Sequence, residues 1–196
     1  MVAPPDPLSP APGTGFTSGK RNTALQGHVA FFDTDNDGII WPMDTYRGLR
    51  DIKFGILLSL FSVMVIHFGF SWVTQDSWIP DPLFRLKIKN MHRAKHGSTT
   101  GSYTAIGEFD QTRFNSMFDT YSSEPHTHLT FWEGVRMVRG NRDAFDMFGW
   151  FAACFEWLST WLLLYDRDPK GLRKDDVKGV FTGYIFYRIS GRKPNY

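Results

Sequence analysis

The sequence predicts a mainly α protein: an EF-hand helix–loop–helix domain with degenerate EF-like partners and a membrane-associated apolar helix or hairpin. Three observations carry this. Asp33, Asp35 and Asp37 alternate ahead of Gly38. A run without Asp, Glu, Lys or Arg covers residues 54–73. Two later stretches repeat the helix–loop–helix pattern without its full acidic set. The expected order is a disordered tail (1–20) and then one domain (21–196). That domain holds the EF-hand (24–52), the apolar segment (54–73), a proline turn and basic helix (78–96), and a C-terminal helical region (109–196).

The first stretch, "MVAPPDPLSPAPGTGFTSGK", is rich in Pro, Gly and Ser and lacks an apolar core with a cleavage site. It is expected to be a disordered tail and not a signal peptide. Lys+Arg 22 against Asp+Glu 20 gives a net charge of +2, so no nucleic-acid partner is expected. The single cysteine, Cys154, excludes an intramolecular disulfide and suits a reducing, cytosol-facing location. Aromatic residues make up 16% of the chain. They need a core, a ligand cavity or a membrane surface to cover them.

In "LQGHVAFFDTDNDGIIW", Asp33, Asp35, Asp37 and Gly38 take positions 1, 3, 5 and 6 of a calcium loop. Ile39 supplies a backbone carbonyl at position 7 and Ile40 the apolar position 8. Asp44 closes the loop at position 12, where Glu is usual. It is one methylene shorter, so weaker Ca²⁺ affinity or more tolerance of Mg²⁺ is expected. Trp41 offers no side-chain oxygen at position 9. An Asp-rich surface turn is the plainer alternative. Ahead of the loop, Leu25, His28, Val29 and Phe32 follow i, i+3, i+4, i+7, an apolar helical stripe. His28 stands where that stripe calls for a core residue.

Two echoes follow. "FDQTRFNSMFDTYSSEPHTHLTFWEGVRM" has Leu129 and Glu133 at positions 8 and 12 but no Asp series. "DRDPKGLRKDDV" has Asp166, Asp168 and Gly171 in place, with Lys170 at position 5 and Val177 at 12. Neither is expected to hold a metal. Both suit structural partners for the calcium loop.

The apolar run at 54–73 makes a helix of roughly 30 Å, the thickness of a bilayer core. Ser59, Ser62, His67 and Ser71 fall on one half of its wheel. Arg47, Arg50 and Lys53 precede it, and Arg85, Lys87, Lys89, Arg93 and Lys95 follow. Basic residues at both ends give no preferred orientation and allow both ends to stay cytosolic. Pro80 and Pro82 stiffen the following turn. A monotopic hairpin or in-plane helix is expected, with a buried helix of a soluble core as the alternative. In the second apolar block, Ala144–Tyr165, Asp146 and Glu156 argue against a spanning helix. Trp150, Trp157 and Trp161 share a face, as an interfacial belt, a pocket lining or ordinary core. Cys154 is expected in the core.

His92 and His96 in "NMHRAKHGS" stand at i, i+4, one face of a helix. The Glu of a metalloprotease motif is missing between them. His126 and His128 are expected in a solvated loop. No catalytic Ser-His-Asp elbow, phosphate loop or dinucleotide fingerprint is present.

Three blocks, "LQGHVAFFDTDNDGIIWPMDTYRGLR", "NMHRAKHGS" and "GNRDAFDMFGWFAACFEW", resemble the caleosin family, also called plant and fungal peroxygenases. The resemblance runs in order from Asn22 to the C-terminus. It implies a protein of the lipid droplet and endoplasmic reticulum membrane, on the cytosolic face, with Ca²⁺ and haem b as cofactors. It implies transfer of an oxygen atom from a fatty-acid hydroperoxide to an unsaturated fatty acid, giving an epoxide, or to a sulfide or aromatic. Its two functional histidines match His28 and His96, implied as haem-binding and catalytic, with His92 as a fallback. Both cannot ligate iron permanently, since a coordination position must open for the hydroperoxide. Either one ligand is labile, or one histidine is the ligand and the other an acid/base. The family's closing Glu is Asp44 here, and its proline knot is thinned to Pro80 and Pro82. The rival readings are a non-enzymatic, calcium-responsive lipid-droplet coat or tether, and a soluble calcium buffer. A phospholipid monolayer or membrane is an expected partner, and a homo-oligomer stays open.

Overall fold

A computed structural model describes residues 23–194. The expected tail, 1–20, lies outside them. The elements in order are α1 (Ala24–Ala30), β1 (Ile39–Ile40), α2 (Pro42–Asp51), α3 (Ile56–Thr74), β2 (Leu86–Lys87), a 3-10 helix (Ile88–Ala94), α4 (Gln111–Tyr121), β3 (His128–Leu129), α5 (Phe131–Gly140), α6 (Met147–Leu164), β4 (Leu172–Arg173), α7 (Lys174–Thr182) and α8 (Tyr184–Ser190).

Each of several helices starts on a side chain that takes up otherwise orphaned N–H groups. Gln26 N–H donates to Thr23 Oγ1 while Thr23 N–H donates to Gln26 Oε1, a capping box that opens α1. Pro42 occupies the first turn of α2, where a missing N–H costs nothing. Asp110 and Asp146 cap α4 and α6. Gly183, at φ +78°, turns the chain from α7 into α8.

Among the described residues, α1 to α7 and the 3-10 helix form four helix–loop–helix units joined in two pairs by short antiparallel ladders, and α8 packs on α7. β1 pairs with β2, Ile40 opposite Leu86. β3 pairs with β4, Leu129 opposite Leu172. The two echoes therefore partner each other. The acidic loop partners the segment after the proline turn, a unit whose loop carries no alternating acidic series. Its two carboxylates are neutralised from within: Arg85 pairs with Asp81 at 2.8 Å, and Lys87 and Lys89 with Asp76 at 2.9 and 3.0 Å. The register that sets Leu86 opposite Ile40 puts Ile79, Leu83 and Asn90 at positions 1, 5 and 12, so the acidic pattern that would reveal the relationship is missing. Four buried aliphatic side chains anchor the ladders, Ile40, Leu86, Leu129 and Leu172.

α3 is built inside out. Ser59, Ser62, His67, Ser71 and Thr74 are buried against the protein. Leu57, Leu60, Phe61, Met64, Phe68 and Trp72 face outward, with Leu57 83% exposed. The polar face is matched by main chain: Ser71 Oγ donates to Arg85 O, and His67 Nδ1 to Phe84 O. Thr45 Oγ1 donates to His67 Nε2 at 2.8 Å, tying α2 to α3. α6 runs alongside, with Phe61 near Phe155 and Phe70 near Phe148. Its Phe148, Phe151, Leu158 and Leu162 add to the outward apolar surface.

Several sequence expectations are corrected. The basic helix ends at Ala94, and Lys95 is extended (φ −68°, ψ 133°), so His92 and His96 do not share a helix face. Gly97 follows at once, and Ser98 is pulled aside by Asp146. Cys154 is exposed, on the outer side of α6. His128 lies in β3 and reaches Asp168 of the facing loop at 3.2 Å. His126 is half-buried against Ser122 O. The three tryptophans divide: Trp157 is buried in the core, Trp161 packs on it, and Trp150 donates to Asp143 O at the start of α6.

Candidate active site and acidic loop

The acidic loop brings carboxylate oxygens of Asp33, Asp35 and Asp37 within 4.8 Å of one another. Asp33 is buried and receives the N–H groups of Asp37 and Gly38. Burial pushes its carboxyl up to about 6, the Gly38 N–H opposes this, and neighbouring Asp35 and Asp37 add to the rise. Three acids held this close are an all-oxygen donor set suited to a hard cation. Gly38, at φ +83°, makes the tight turn among them. Ile88 N–H donates to Gly38 O, so the next ladder position, Ile39, turns its N–H and C=O away from β2. Its N–H meets Asp37 Oδ1 at 2.7 Å, on the loop side. Asp44 does not join the cluster. Its Oδ2 accepts the Trp41 N–H at 3.0 Å, capping α2. The shorter side chain reaches the helix end and stops there.

The degenerate loop at Glu133 shows the opposite economy. Glu133 Oε1 accepts from Ser123 N and Oγ, and Oε2 from Thr130 N and Oγ1. Protein donors occupy both oxygens. Burial alone would raise this carboxyl, but the Ser123 and Thr130 donors pull it down to about 2.

A cavity of about 350 Å³ opens between the two pairs of units. Its walls come from α1 (Leu25, His28, Val29), α3 (Ser62, Ile66), α6 (Phe151, Glu156) and α7 (Val177, Val180), among others. The stripe Leu25, His28, Val29 and Phe32 lines this cavity. All four are half-buried. The core face of α1 is instead Ala24, Gly27 and Ala30, continued by Phe31. Periodicity identified an inward face correctly: Leu25, Val29 and Phe32 pack on the small cluster of Ile40, Leu86, Ile88 and Met91 while they line the cavity.

His28 Nδ1 donates to Val180 O at 2.6 Å. That contact fixes the tautomer and leaves the Nε2 lone pair free, as metal-binding histidines require. Burial pushes its pKa down, opposed by the Val180 contact and the Glu156 charge, so the ring is held neutral and able to bind a metal. Phe186 packs edge-on to it at 5.0 Å.

His96, distant in sequence, lines the same cavity. Its Nε2 lies 3.4 Å from Glu156, and its Nδ1 is buried without a hydrogen-bond partner. Burial lowers its pKa, but Glu156 and then Asp146 outweigh this, and the net shift is upward. Asp146 also places the segment: its Oδ2 accepts from Ser98 N and Oγ, and its Oδ1 from Gly149 N at the start of α6. His92 is not among the lining residues. Ser62 Oγ and Trp157 Nε1, also on the lining, are likewise buried without a partner. Orphaned polar atoms are costly in an apolar wall, and a ligand with polar groups relieves that cost.

Sequence reasoning missed Tyr103, whose hydroxyl donates to Phe181 O, and the positive role of Glu156. Glu156 had a signal: an ionisable residue within an apolar helix marks a site more often than a defect.

The family described as Caleosin related protein matches residues 20–190. A Peroxygenase of Lilium longiflorum is 38% identical over 188 residues, covering 96% of this chain and 78% of its own. Probable peroxygenase 4 of Arabidopsis thaliana is 35% identical over 177 residues, covering 89% of each chain. A Probable inactive peroxygenase-like protein of Arabidopsis thaliana is 25% identical over 147 residues, covering 75% of this chain and 70% of its own. No solved structure matches.

Proposed function

The chain belongs to the caleosin family, and on that premise we propose that it is a haem peroxygenase, with haem b in the cavity and Ca²⁺ in the acidic loop. It moves one oxygen atom from a fatty-acid hydroperoxide to an unsaturated fatty acid, which leaves as the epoxide, or to another acceptor. The observation that carries this reading is the shared cavity of His28 and His96. One imidazole there has its Nδ1 proton tied to a carbonyl, and the other has an unpartnered nitrogen. Imidazole in an apolar pocket suits haem iron, and the three-carboxylate cluster suits calcium.

His28 would hold the iron through Nε2, with Val180 O fixing the ring. His96 would move the hydroperoxide proton. Bound haem supplies the two-electron chemistry by which a hydroperoxide gives up one oxygen atom. The apolar lining holds the acyl chains and keeps water out. The outward faces of α3 and α6 would lie in the monolayer of a lipid droplet or the cytosolic face of the endoplasmic reticulum membrane, in plane. A coat or tether would use that same surface, yet it has no use for two imidazoles in one cavity.

The absorption spectrum of purified protein tests the reading. Stoichiometric haem with a Soret band is expected. His28→Ala loses the band. His96→Ala keeps it and loses oxygen transfer. Protein that takes up no haem but still floats with lipid would establish the coat instead.

A further inference from the structure

Within α6, Glu156 is the one acidic residue of the helix. Its side chain is 58% exposed and lines the cavity, so it stands at the cavity's open side. Both its oxygens lie 3.4 Å from His96 Nε2. The His96 side chain is only 6% exposed, and Nδ1 is the buried nitrogen without a partner. A neutral imidazole has one N–H and one lone pair. An anionic acceptor at Nε2 draws the N–H there and leaves the lone pair on Nδ1. We propose that Glu156 is the positioning residue of this site: it fixes His96 in the tautomer whose Nδ1 accepts the hydroperoxide proton. This rests on the peroxygenase reading and names the base within it.

The proton balance closes. The O–H bond of the hydroperoxide breaks toward Nδ1, and the imidazolium formed faces the Glu156 carboxylate. As the O–O bond breaks, the same proton passes to the departing alkoxide oxygen, which leaves as an alcohol. The hydroperoxide is reduced by two electrons, and the acceptor lipid is oxidised by two as it gains the oxygen atom. His96 ends as it began.

The surroundings agree. Around His96, Asp146 adds negative charge from the start of α6, and Lys95, Tyr103 and His28 are the other titratable groups on the lining. Tyr103 is pushed far up by burial and by Glu156, and its hydroxyl is committed to Phe181 O, so it does not compete as a base. His28 has Nδ1 held by Val180 O, and its remaining Nε2 lone pair is the one assigned to the iron. That leaves His96 Nδ1 as the acceptor for the proton.

The test needs a readout apart from turnover. Hydrogen cyanide binds ferric haem as cyanide and must first give its proton to a distal base, so its association rate reports that base directly. Wild-type haem-loaded protein should show an acid limb in both the cyanide rate and kcat/KM. In Glu156→Gln, haem content and Soret band stay as in wild type. The acid limb moves to lower pH, and the rates fall about 10- to 100-fold, the usual loss for removing an outer partner of a functional histidine. Glu156→Asp, which keeps the charge, falls between. Two results overturn the proposal: Glu156→Gln with wild-type limbs and rates, or loss of haem in Glu156→Gln and His96→Ala alike, which would make His96 an iron ligand. If wild type binds cyanide as expected but transfers oxygen to no lipid, the peroxygenase reading fails while the Glu156–His96 assignment stands.

Discussion

Gly183 sets how closely α7 approaches the helix that carries His28. A Cβ there would meet Gly27 O at 2.6 Å and His28 Cα at 2.7 Å, and the backbone sits at φ +78°. Gly183→Ala therefore strains its own backbone and pushes α1 away, breaking the Val180 contact that orients His28. A loss of about 2–4 kcal/mol in denaturant unfolding is expected, with haem content below stoichiometric. A second residue-scale prediction concerns Asp44. Asp44→Glu adds the missing methylene and lets the closing carboxylate reach past the α2 cap to the Asp33 cluster. Calorimetry should show Ca²⁺ binding tightened by roughly tenfold, about 1.4 kcal/mol. At this scale the sequence was informative where spacing alone carries chemistry, as with Asp33, Asp35 and Asp37. It was silent on Val180, and it marked Glu156 only as out of place in an apolar helix, because both roles depend on which element lies opposite.

At the scale of elements, α3 and α5 each make a prediction. A helix that buries serines and exposes leucines and phenylalanines presents an apolar face suited to a lipid surface. Leu57→Lys with Phe68→Lys should sharply reduce flotation with phospholipid-coated oil droplets and leave the melting temperature nearly unchanged, since both side chains are largely exposed. Unchanged flotation would show that this face is not the lipid contact. The polar half of α3 was legible as a wheel pattern, but which half faces inward was not, because the buried polar groups find carbonyl partners only after the proline turn folds back. For α5, the Glu133 carboxyl titrates near 2 in the folded chain and near 4.5 when unfolded. A lowered folded value stabilises the protein fully above about pH 4.5, and that stability is lost as pH falls toward 2. Glu133→Gln should cost about 1–3 kcal/mol at neutral pH, and its unfolding free energy should vary less than wild type's across that window.

For the whole molecule, the acidic loop and the cavity are two ends of one structure. α1 carries His28 and runs directly into Asp33, five residues on. α1 also packs on α7 and on the 3-10 helix, so it joins the two pairs of units. On the other side of the loop, Ile40, Thr45 and Leu49 belong to the cavity wall. Thr45 also holds His67 of α3. Emptying the loop leaves Asp33, Asp35 and Asp37 to repel one another, and the strain falls on α1 and α2, which form two walls of the cavity. Calcium removal by a chelator should therefore shift the Soret band, lower the rate of oxygen transfer and lower the melting temperature. Calcium at a hundred times its dissociation constant should restore about 2.7 kcal/mol of stability. The Asp33→Asn, Asp35→Asn double variant should behave like chelated wild type and ignore the chelator. A chelated protein with an unchanged spectrum, rate and melting temperature would mean that the loop and the haem site are neighbours without coupling, and that α1 is rigid enough to keep His28 in place unaided.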